Sequence, residues 1–295
     1  MTGSIVTIGR FDGVHVGHQS IIRMVVEKAT GNHLRSVVLT FDRHPLKTLE
    51  PESHPEILTP TDLRVRLIKA LGVDEVKLIK FDKRFSLLDP KAFLDSVVLP
   101  LNVKELIVGK DFKFGKERRG DIDFVTRYAA VHGFKLTIAP FLKINGNKVG
   151  SSKIRAFLKK GDIAACRKML GRNPSLNGLV VQGESLGASL GFPTANLRPD
   201  PDLCLPKTGV YAGIVNLSDH MYRCLVNVGL APTFHRRSHP VIEVHIPGEM
   251  FELYGKELLV ELVSRIRDEV EFKDRESLIG QLRDDTTKLE DMIRL

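Results

Sequence analysis

The sequence predicts two domains of different class, an α/β unit over residues 1–172 and a small antiparallel β-barrel with a terminal helix over residues 173–295. Three observations carry this. The chain has 295 residues, about twice the roughly 150 that one domain commonly takes. Its first half alternates short apolar runs with stretches of helical spacing, whereas its second half holds short β-rich runs separated by turn residues. Between them LGRNPSLNG, residues 170–178, gathers Gly, Arg, Asn, Pro and Ser and reads as a linker.

The first half opens on SIVTIG (4–9), an apolar strand ending in glycine. From Gly17 a helical stripe follows through Ile22, Val25, Val26 and Ala29, spaced i, i+3, i+4, i+7. SVVLTF (36–41) is a buried strand. Thr59 is the expected cap of the next helix, with Pro60 in its first turn and Asp62 near its positive end. Its stripe of Leu63, Leu67, Ile68 and Leu71 stops at Gly72. VKLIKF (76–81), ELIVG (105–109) and FKLTIA (134–139) supply further strands, with helical stretches between them. Such alternation implies a parallel sheet with helices on both faces and ligands beyond the carboxyl ends of the strands. Two short helices, 151–159 and 162–170, close the half.

Beyond the linker, GLVVQG, GVYAGIVNL, YRCLVNVG, PVIEVHI and KELLVELV are rich in Val, Ile and Leu, the pattern of an antiparallel sheet or small barrel. From Asp274 onward Leu278, Ile279, Leu282 and Leu289 mark one amphipathic helix. No repeat relates the two halves.

Composition narrows the class. With 42% hydrophobic and 27% charged residues the chain is not intrinsically disordered. No apolar run approaches the roughly 18 residues of a membrane helix, and MTGSIVTIGR lacks the basic-then-apolar layout of a signal peptide. The cytoplasm is the expected compartment. A net charge of +8 and a pI near 9.4 suit anionic partners, either nucleic acid or phosphate-bearing small molecules, unless the surplus is solvated surface charge. Cys166, Cys204 and Cys224 are too scattered for a disulfide framework or a CxxC metal site.

The most informative stretch is Gly9-Arg10-Phe11-Asp12-Gly13-Val14-His15-Val16-Gly17-His18, between the first strand and the first helix. An open α/β sheet holds nucleotides there. Gly13 and Gly17 let the backbone approach a phosphate chain closely. His15 and His18 stand at the helix start, where imidazole donors and free backbone N–H groups can face one anion. By itself an HxxH pair also fits two ordinary loop histidines; strand, glycines and helix in register set this one apart.

This segment resembles the HxGH nucleotidyltransferases and, within them, the bacterial FAD synthetases, whose GxFDGxHxGH it matches. Thr40-Phe41-Asp42-Arg43-His44-Pro45, then Val108 through Gly115, then Arg119-Gly120-Asp121 agree in order. Val149-Gly150-Ser151-Ser152-Lys153-Ile154-Arg155 is similar to the family's second signature. The resemblance implies a Rossmann-like fold and a nucleotide site at Gly9, Phe11, Asp12, Gly13 and Gly17. It implies that His15 and His18 stabilise charge on the triphosphate, and that Ser151, Ser152 and Arg155 bind the departing pyrophosphate. His44, Pro45 and Phe114 would lie along the flavin; read as residues, Phe112 and Phe114 fit core aromatics equally well. Arg10, Arg43, Gly150 and Lys153 depart from the usual pattern.

In the second half Gly183, Gly187 and Gly191 precede Phe192-Pro193-Thr194-Ala195-Asn196. The chain has neither a P-loop nor a GxGxxG, so any ATP site here uses another arrangement. Thr194 and Asn196 share one side of an extended segment, and both oxygens can reach a Mg²⁺ bridging nucleotide phosphates; on these residues alone an Asx-type turn is the simpler reading. GFPTAN, however, is similar to the riboflavin kinase signature, and Gly209-Val210-Tyr211-Ala212, Asn227-Val228-Gly229, Pro232-Thr233-Phe234, Glu243-Val244-His245 and Arg267 continue that pattern. The resemblance implies Mg²⁺-ATP held through Gly187, Gly191, Pro193, Thr194 and Asn196, flavin contact by Arg267, and Glu243 as the base for the ribityl 5′-hydroxyl. Read alone, Glu243 is an outward-alternating strand residue. Ala188 and Pro247-Gly248 depart from the pattern.

Together the two resemblances imply phosphorylation of riboflavin to FMN and adenylylation of FMN to FAD, with small-molecule substrates and no membrane or nucleic-acid partner. The alternative is one live activity beside a flavin-sensing or RNA-binding module.

Overall fold

The computed structural model describes residues 3–50, 54–183, 191–231, 239–249 and 251–294. The chain forms two compact units, Met1–Ser151 and Ser152–Leu295.

The first unit is built on a five-stranded sheet in the order β3-β2-β1-β4-β5, from β1 (Ser4–Ile8), β2 (Arg35–Phe41), β3 (Glu75–Ile79), β4 (Val103–Gly109) and β5 (Lys135–Ala139). Every pairing is parallel. Each apolar run of the sequence therefore becomes a strand buried on both faces. Ile5, Val38 and Ile107 face α1 (Val16–Gly31) and α3 (Thr61–Lys69), whereas Val6, Leu39 and Leu106 face the other way, toward Phe93 and α6 (Ile122–His132). Strand order reverses direction at β1, so the loop after Ile8 opens at the crevice where such sheets take ligands. The short helices α2 (Pro45–Leu49), α4 (Lys83–Ser86) and α5 (Pro90–Phe93) complete this layer.

Two details differ from the sequence reading. α3 begins at Thr61 with Pro60 as N-cap and no side-chain cap, because Pro60 sits at ψ 155 and holds Thr59 outside the helix. A hairpin of β6 (Lys143–Ile144) and β7 (Asn147–Lys148) turns at Asn145-Gly146, whose φ values of 49 and 77 suit a two-residue hairpin turn.

In the second unit α7 (Ser151–Lys160) and α8 (Ile163–Leu170) precede a closed barrel in the order β10-β11-β12-β9-β8-β13. The Lys207 N–H donates to the Leu158 carbonyl oxygen at 2.9 Å, tying α7 to the chain that leads into β10. The strands are β8 (Ser175–Val181), β9 (Thr194–Pro199), β10 (Gly209–Leu217), β11 (His220–Ala231), β12 (His239–His245) and β13 (Glu257–Arg267), all antiparallel. α9 (Arg275–Met292 in chain order the last helix) starts at the Asp274 cap, whose carboxylate accepts from the Ser277 N–H, and packs Leu289 on Val210, Ala212 and Leu225.

The expected linker is shorter than 170–178. β8 already begins at Ser175, because Leu176 and Val180 alternate into the barrel and carry Asn177 and Gly178 along as strand residues. β13 also outruns its apolar core: two register shifts against β10 extend it through Arg267. That extension brings Arg267 to a cavity.

Candidate active sites

In the first unit the chain leaves β1 through a left-handed turn. Phe11, Gly13 and Val14 have φ of 50, 80 and 39. A side chain tolerates that region poorly, and the buried rings and methyls of Phe11 and Val14 hold it in place within the α1–α3 core. Gly9 closes the strand by donating its N–H to the Leu39 oxygen at 3.1 Å. Asp12 is buried; its Oδ1 accepts from the Leu58 N–H at 2.7 Å, and its carbonyl oxygen accepts from the Ser151 hydroxyl at 2.9 Å.

His15 caps α1, its Nδ1 accepting from the His18 N–H at 3.2 Å. With Nδ1 accepting, the neutral ring carries its proton on Nε2 and offers it as a donor. A Cβ on Gly17 would stand 3.3 Å from that ring, so glycine lets the imidazole lie against the helix start. The His15 and His18 rings stack at 3.5 Å, and the edge of Phe11 closes on His18 at 5.2 Å. Burial, then the neighbouring His15 and then Arg10 hold the His18 proton affinity well below that of an ordinary histidine. His18 Nδ1 is buried with no hydrogen-bond partner among the described residues. The two stacked rings at the start of α1 are placed as nitrogen donors that can serve a phosphate oxygen.

His44 caps α2, accepting from the Leu46 N–H at 3.1 Å, and its Nε2 meets the Arg10 guanidinium. Pro45 follows as the first residue of α2. Phe114 is 6% exposed and packs inside the core on Phe93, Phe112 and Phe124. Phe114 belongs to the aromatic core of this unit, and its half-buried stacking partner Phe112 has the more open ring. Arg64, which the sequence reading passed over, is buried beside Asp12 and Asp42 and donates to the Phe41 oxygen. α7 opens on Ser151; Ser152 and Arg155 follow on it in the second unit, with Arg155 Nη2 donating to the Ser152 hydroxyl at 3.2 Å.

The second unit holds a cavity of about 250 Å³ between the barrel's outer face and α9. Register explains what faces it. Asn227 on β11 pairs with Glu243 on β12, which pairs with Asn196 on β9; two residues along, His245 pairs with Thr194. Residues two apart share a face, so these rows stand side by side, and Thr194, Asn227, Glu243 and His245 line the cavity. Ile242 and Val244 point into the barrel core. Glu243 therefore alternates outward, and outward is where the cavity lies. Asn227 Nδ2 donates to Glu243 Oε2 at 3.4 Å, and His245 Nδ1 donates to the Pro193 oxygen at 2.8 Å. Gly183 lies so close to the Asn196 amide that no Cβ would fit. Gly191 enters β9 at φ 85. Gly187 lies outside the described residues.

Arg267 lines the same cavity and is gripped from behind. Its Nε donates to both Asp285 oxygens, at 3.1 and 2.9 Å, and Nη2 stands 2.8 Å from Oδ2. Asp285 is fully buried and also accepts from Gln281 at 2.9 Å. The sequence carried a signal for it: Leu278, Leu282, Asp285 and Leu289 follow helical spacing, and one acid interrupts an apolar stripe. No group of three His, Cys, Asp or Glu side chains suited to a metal occurs among the described residues. Burial pushes the Cys166 thiol up to about 12 and raises Cys224 too, which leaves neither as a nucleophile.

The chain thus joins a parallel-sheet unit with a polar loop at its crevice to a closed antiparallel barrel with a cavity on its outer face. The FAD synthetase family profile matches residues 1–153, and the riboflavin kinase profile matches residues 170–293. A bifunctional riboflavin kinase/FMN adenylyltransferase of Listeria monocytogenes is 33% identical over 95% of this chain and 90% of its own. Those of Bacillus subtilis and Escherichia coli K12 are each 33% identical, covering 96% and 98% of this chain and 90% and 92% of theirs. A solved structure from Streptococcus pneumoniae, described as a macrolide-efflux protein, superposes with a TM-score of 0.88 at 30% identity, over 98% of this chain and 94% of that one. The chain belongs to the bifunctional riboflavin kinase/FMN adenylyltransferase family.

Proposed function

We infer that the chain converts riboflavin to FMN in residues 173–295 and FMN to FAD in residues 1–172, consuming one ATP at each step. Family membership over both halves carries the pair of activities. Two observations support the division of labour: in the second unit Asn227 and Glu243 pair across β11 and β12 and line a cavity, and in the first unit His15 and His18 stack at the sheet crevice.

In the kinase step Glu243 takes the proton of the ribityl 5′-hydroxyl, and the resulting oxygen attacks the γ-phosphorus of ATP while the bond to the β-phosphate oxygen breaks. Asn227 orients the carboxylate. Arg267 holds the flavin from the opposite wall. The Thr194 hydroxyl and the Asn196 amide oxygen are hard, neutral donors, which suits a Mg²⁺ that keeps phosphate and water oxygens for the rest of its shell. Mg²⁺ bound there would neutralise charge on the β- and γ-phosphate oxygens.

In the adenylyl step the FMN phosphate attacks the α-phosphorus of ATP and pyrophosphate leaves. His15 and His18 donate to triphosphate oxygens as charge shifts outward, with Gly9, Phe11, Asp12, Gly13 and Gly17 shaping the loop. Ser151, Ser152 and Arg155 on α7 serve the leaving pyrophosphate. His44 and Pro45 serve the flavin, and Phe114 supports it through Phe112. The cytoplasm, where ATP and flavins meet, is the proposed compartment.

Incubating the purified chain with riboflavin, ATP and Mg²⁺ and separating the flavins by chromatography tests this. FMN followed by FAD is expected. A mixture that stops at FMN, or that turns over only when FMN is supplied, would mean a single live activity.

A further inference from the structure

The first unit has a much smaller hollow of about 10 Å³, lined in part by Arg10 and Asp12 of the loop that leads to His15 and His18. That is room for one oxygen-sized atom. Arg10, Asp12, Arg43, His44 and Arg64 line it, so three guanidinium groups face one buried carboxylate. Asp42, next along, pairs with Arg43 at 3.3 Å and accepts from the Phe81 N–H at 2.9 Å.

Arg64 is the group that needs explaining. It is 5% exposed, and its Nη2 donates to the Phe41 oxygen and, at 3.2 Å, to Thr61 Oγ1. Its Nε is buried with no hydrogen-bond partner among the described residues. An N–H of a charged group kept from both solvent and protein marks a position built for an acceptor. Arg10, on the exposed rim, touches His44, and its charge acts on both His18 and Arg64.

We propose that this hollow and its guanidinium rim are the subsite for the phosphate of the acceptor flavin nucleotide, an assignment that rests on the adenylyl-transfer reading above. One phosphate oxygen enters the hollow and accepts from Arg64 Nε. Arg10 and Arg43, which line the same hollow, neutralise that phosphate. A second oxygen of that phosphate remains free to attack the α-phosphorus of ATP. The new P–O bond forms as the bond from the α-phosphorus to the bridging oxygen breaks, and pyrophosphate carries that oxygen and the electron pair away. No proton moves, so the subsite has to supply positive charge rather than a base.

The test uses the full chain with FMN and ATP varied separately, following FAD and pyrophosphate. Arg10→Val should raise KM for FMN about ten- to hundredfold, the loss of one charge-assisted hydrogen bond, while kcat and KM for ATP stay within about threefold. Arg10→Lys should recover part of the loss by restoring charge without the planar fork. Riboflavin phosphorylation in the same preparations reports that each variant is folded. If Arg10→Val leaves KM for FMN unchanged, or raises KM for ATP equally, the subsite is wrong and the hollow holds water only. If the wild-type chain makes no FAD from FMN, the functional reading itself fails first, so the two failures are told apart by the wild-type arm.

Discussion

Asp285→Ala probes the second unit at its most buried charge. Asp285 is fully buried, accepts two hydrogen bonds from Arg267 Nε and one from Gln281, and faces Nη2 at 2.8 Å. Removing one partner of a buried pair leaves the other charge uncompensated, at about 3–5 kcal/mol. Two features pull the figure to the lower end. The Arg267 side chain is 17% exposed, and it borders a cavity that admits water and that Glu243 and Glu269 also line. A loss of about 3 kcal/mol is the working value, which at a urea slope of about 1–3 kcal/mol per molar lowers the midpoint of this unit by about 1–3 M.

The chain has no tryptophan, so circular dichroism is the signal of choice for that titration. Riboflavin phosphorylation should fall in the same variant, and FAD formation from supplied FMN should persist. A destabilisation under about 1 kcal/mol would refute the reasoning, because it would mean that Arg267 finds equal company without Asp285. The paired swap Arg267→Met with Asp285→Leu separates the two roles of the ion pair. Stability should return toward wild type, since apolar replacements of buried pairs are often neutral, while riboflavin phosphorylation should not.

Glu243→Gln should lower FMN formation by about 10²–10⁴-fold, the range of a positioned general base, with FAD formation from FMN unaffected; an equal loss in both steps would remove Glu243 from the kinase alone. His18→Ala should stall the product at FMN, and undiminished FAD would take His18 out of the adenylyl step. His18 also sets a pH dependence. Its folded-state affinity for a proton lies well below the ordinary value of 6.5, chiefly through burial, so on unfolding it gains a proton that the native state refuses. Its contribution to stability is therefore complete above about pH 6.5 and is lost as the pH falls from there toward the lowered native value. Urea midpoints measured from about pH 8 to about pH 5 should fall less steeply for His18→Gln than for the wild type; parallel curves would contradict this.

The architecture was legible because burial imposes period. Strands covered on both faces read as continuous apolar runs, and SIVTIG, SVVLTF and ELIVG each fall within a residue or two of their strands. What escaped was local. Asn145-Gly146 and Ser218-Asp219 are hairpin turns of left-handed residues, and the former is a plain Asn-Gly signal. Ser175, Asn177 and Gly178 look like loop composition, yet Leu176 and Val180 hold them in a strand. Phe114 matched a flavin wall by motif and sits in the core by packing. His15, His18, Thr194 and Glu243 were legible as candidates because a motif travels with its loop or strand. The sequence did not expose Asn227 as a partner of Glu243, since that pairing exists only through the register of β11 against β12.

Arg64 and Asp285 escaped for a common reason, and that reason bears on function. Each occupies a stripe position of its helix, Arg64 with Ile68 and Leu71, Asp285 with Leu282 and Leu289, where spacing calls for an apolar side chain. A buried charge is weak support for stability, because a well-packed apolar residue in its place is often as good or better. Stability alone therefore does not account for a guanidinium with an unserved Nε beside the His15–His18 loop, or for a carboxylate that clamps Arg267 against the Glu243 cavity. Both ions sit on a cavity wall, Arg64 at the small hollow of the first unit and Asp285 holding Arg267 at the larger cavity of the second. In each unit a helix thus gives up one apolar stripe position to a buried charge, and that charge either is a guanidinium on a cavity wall or holds one there.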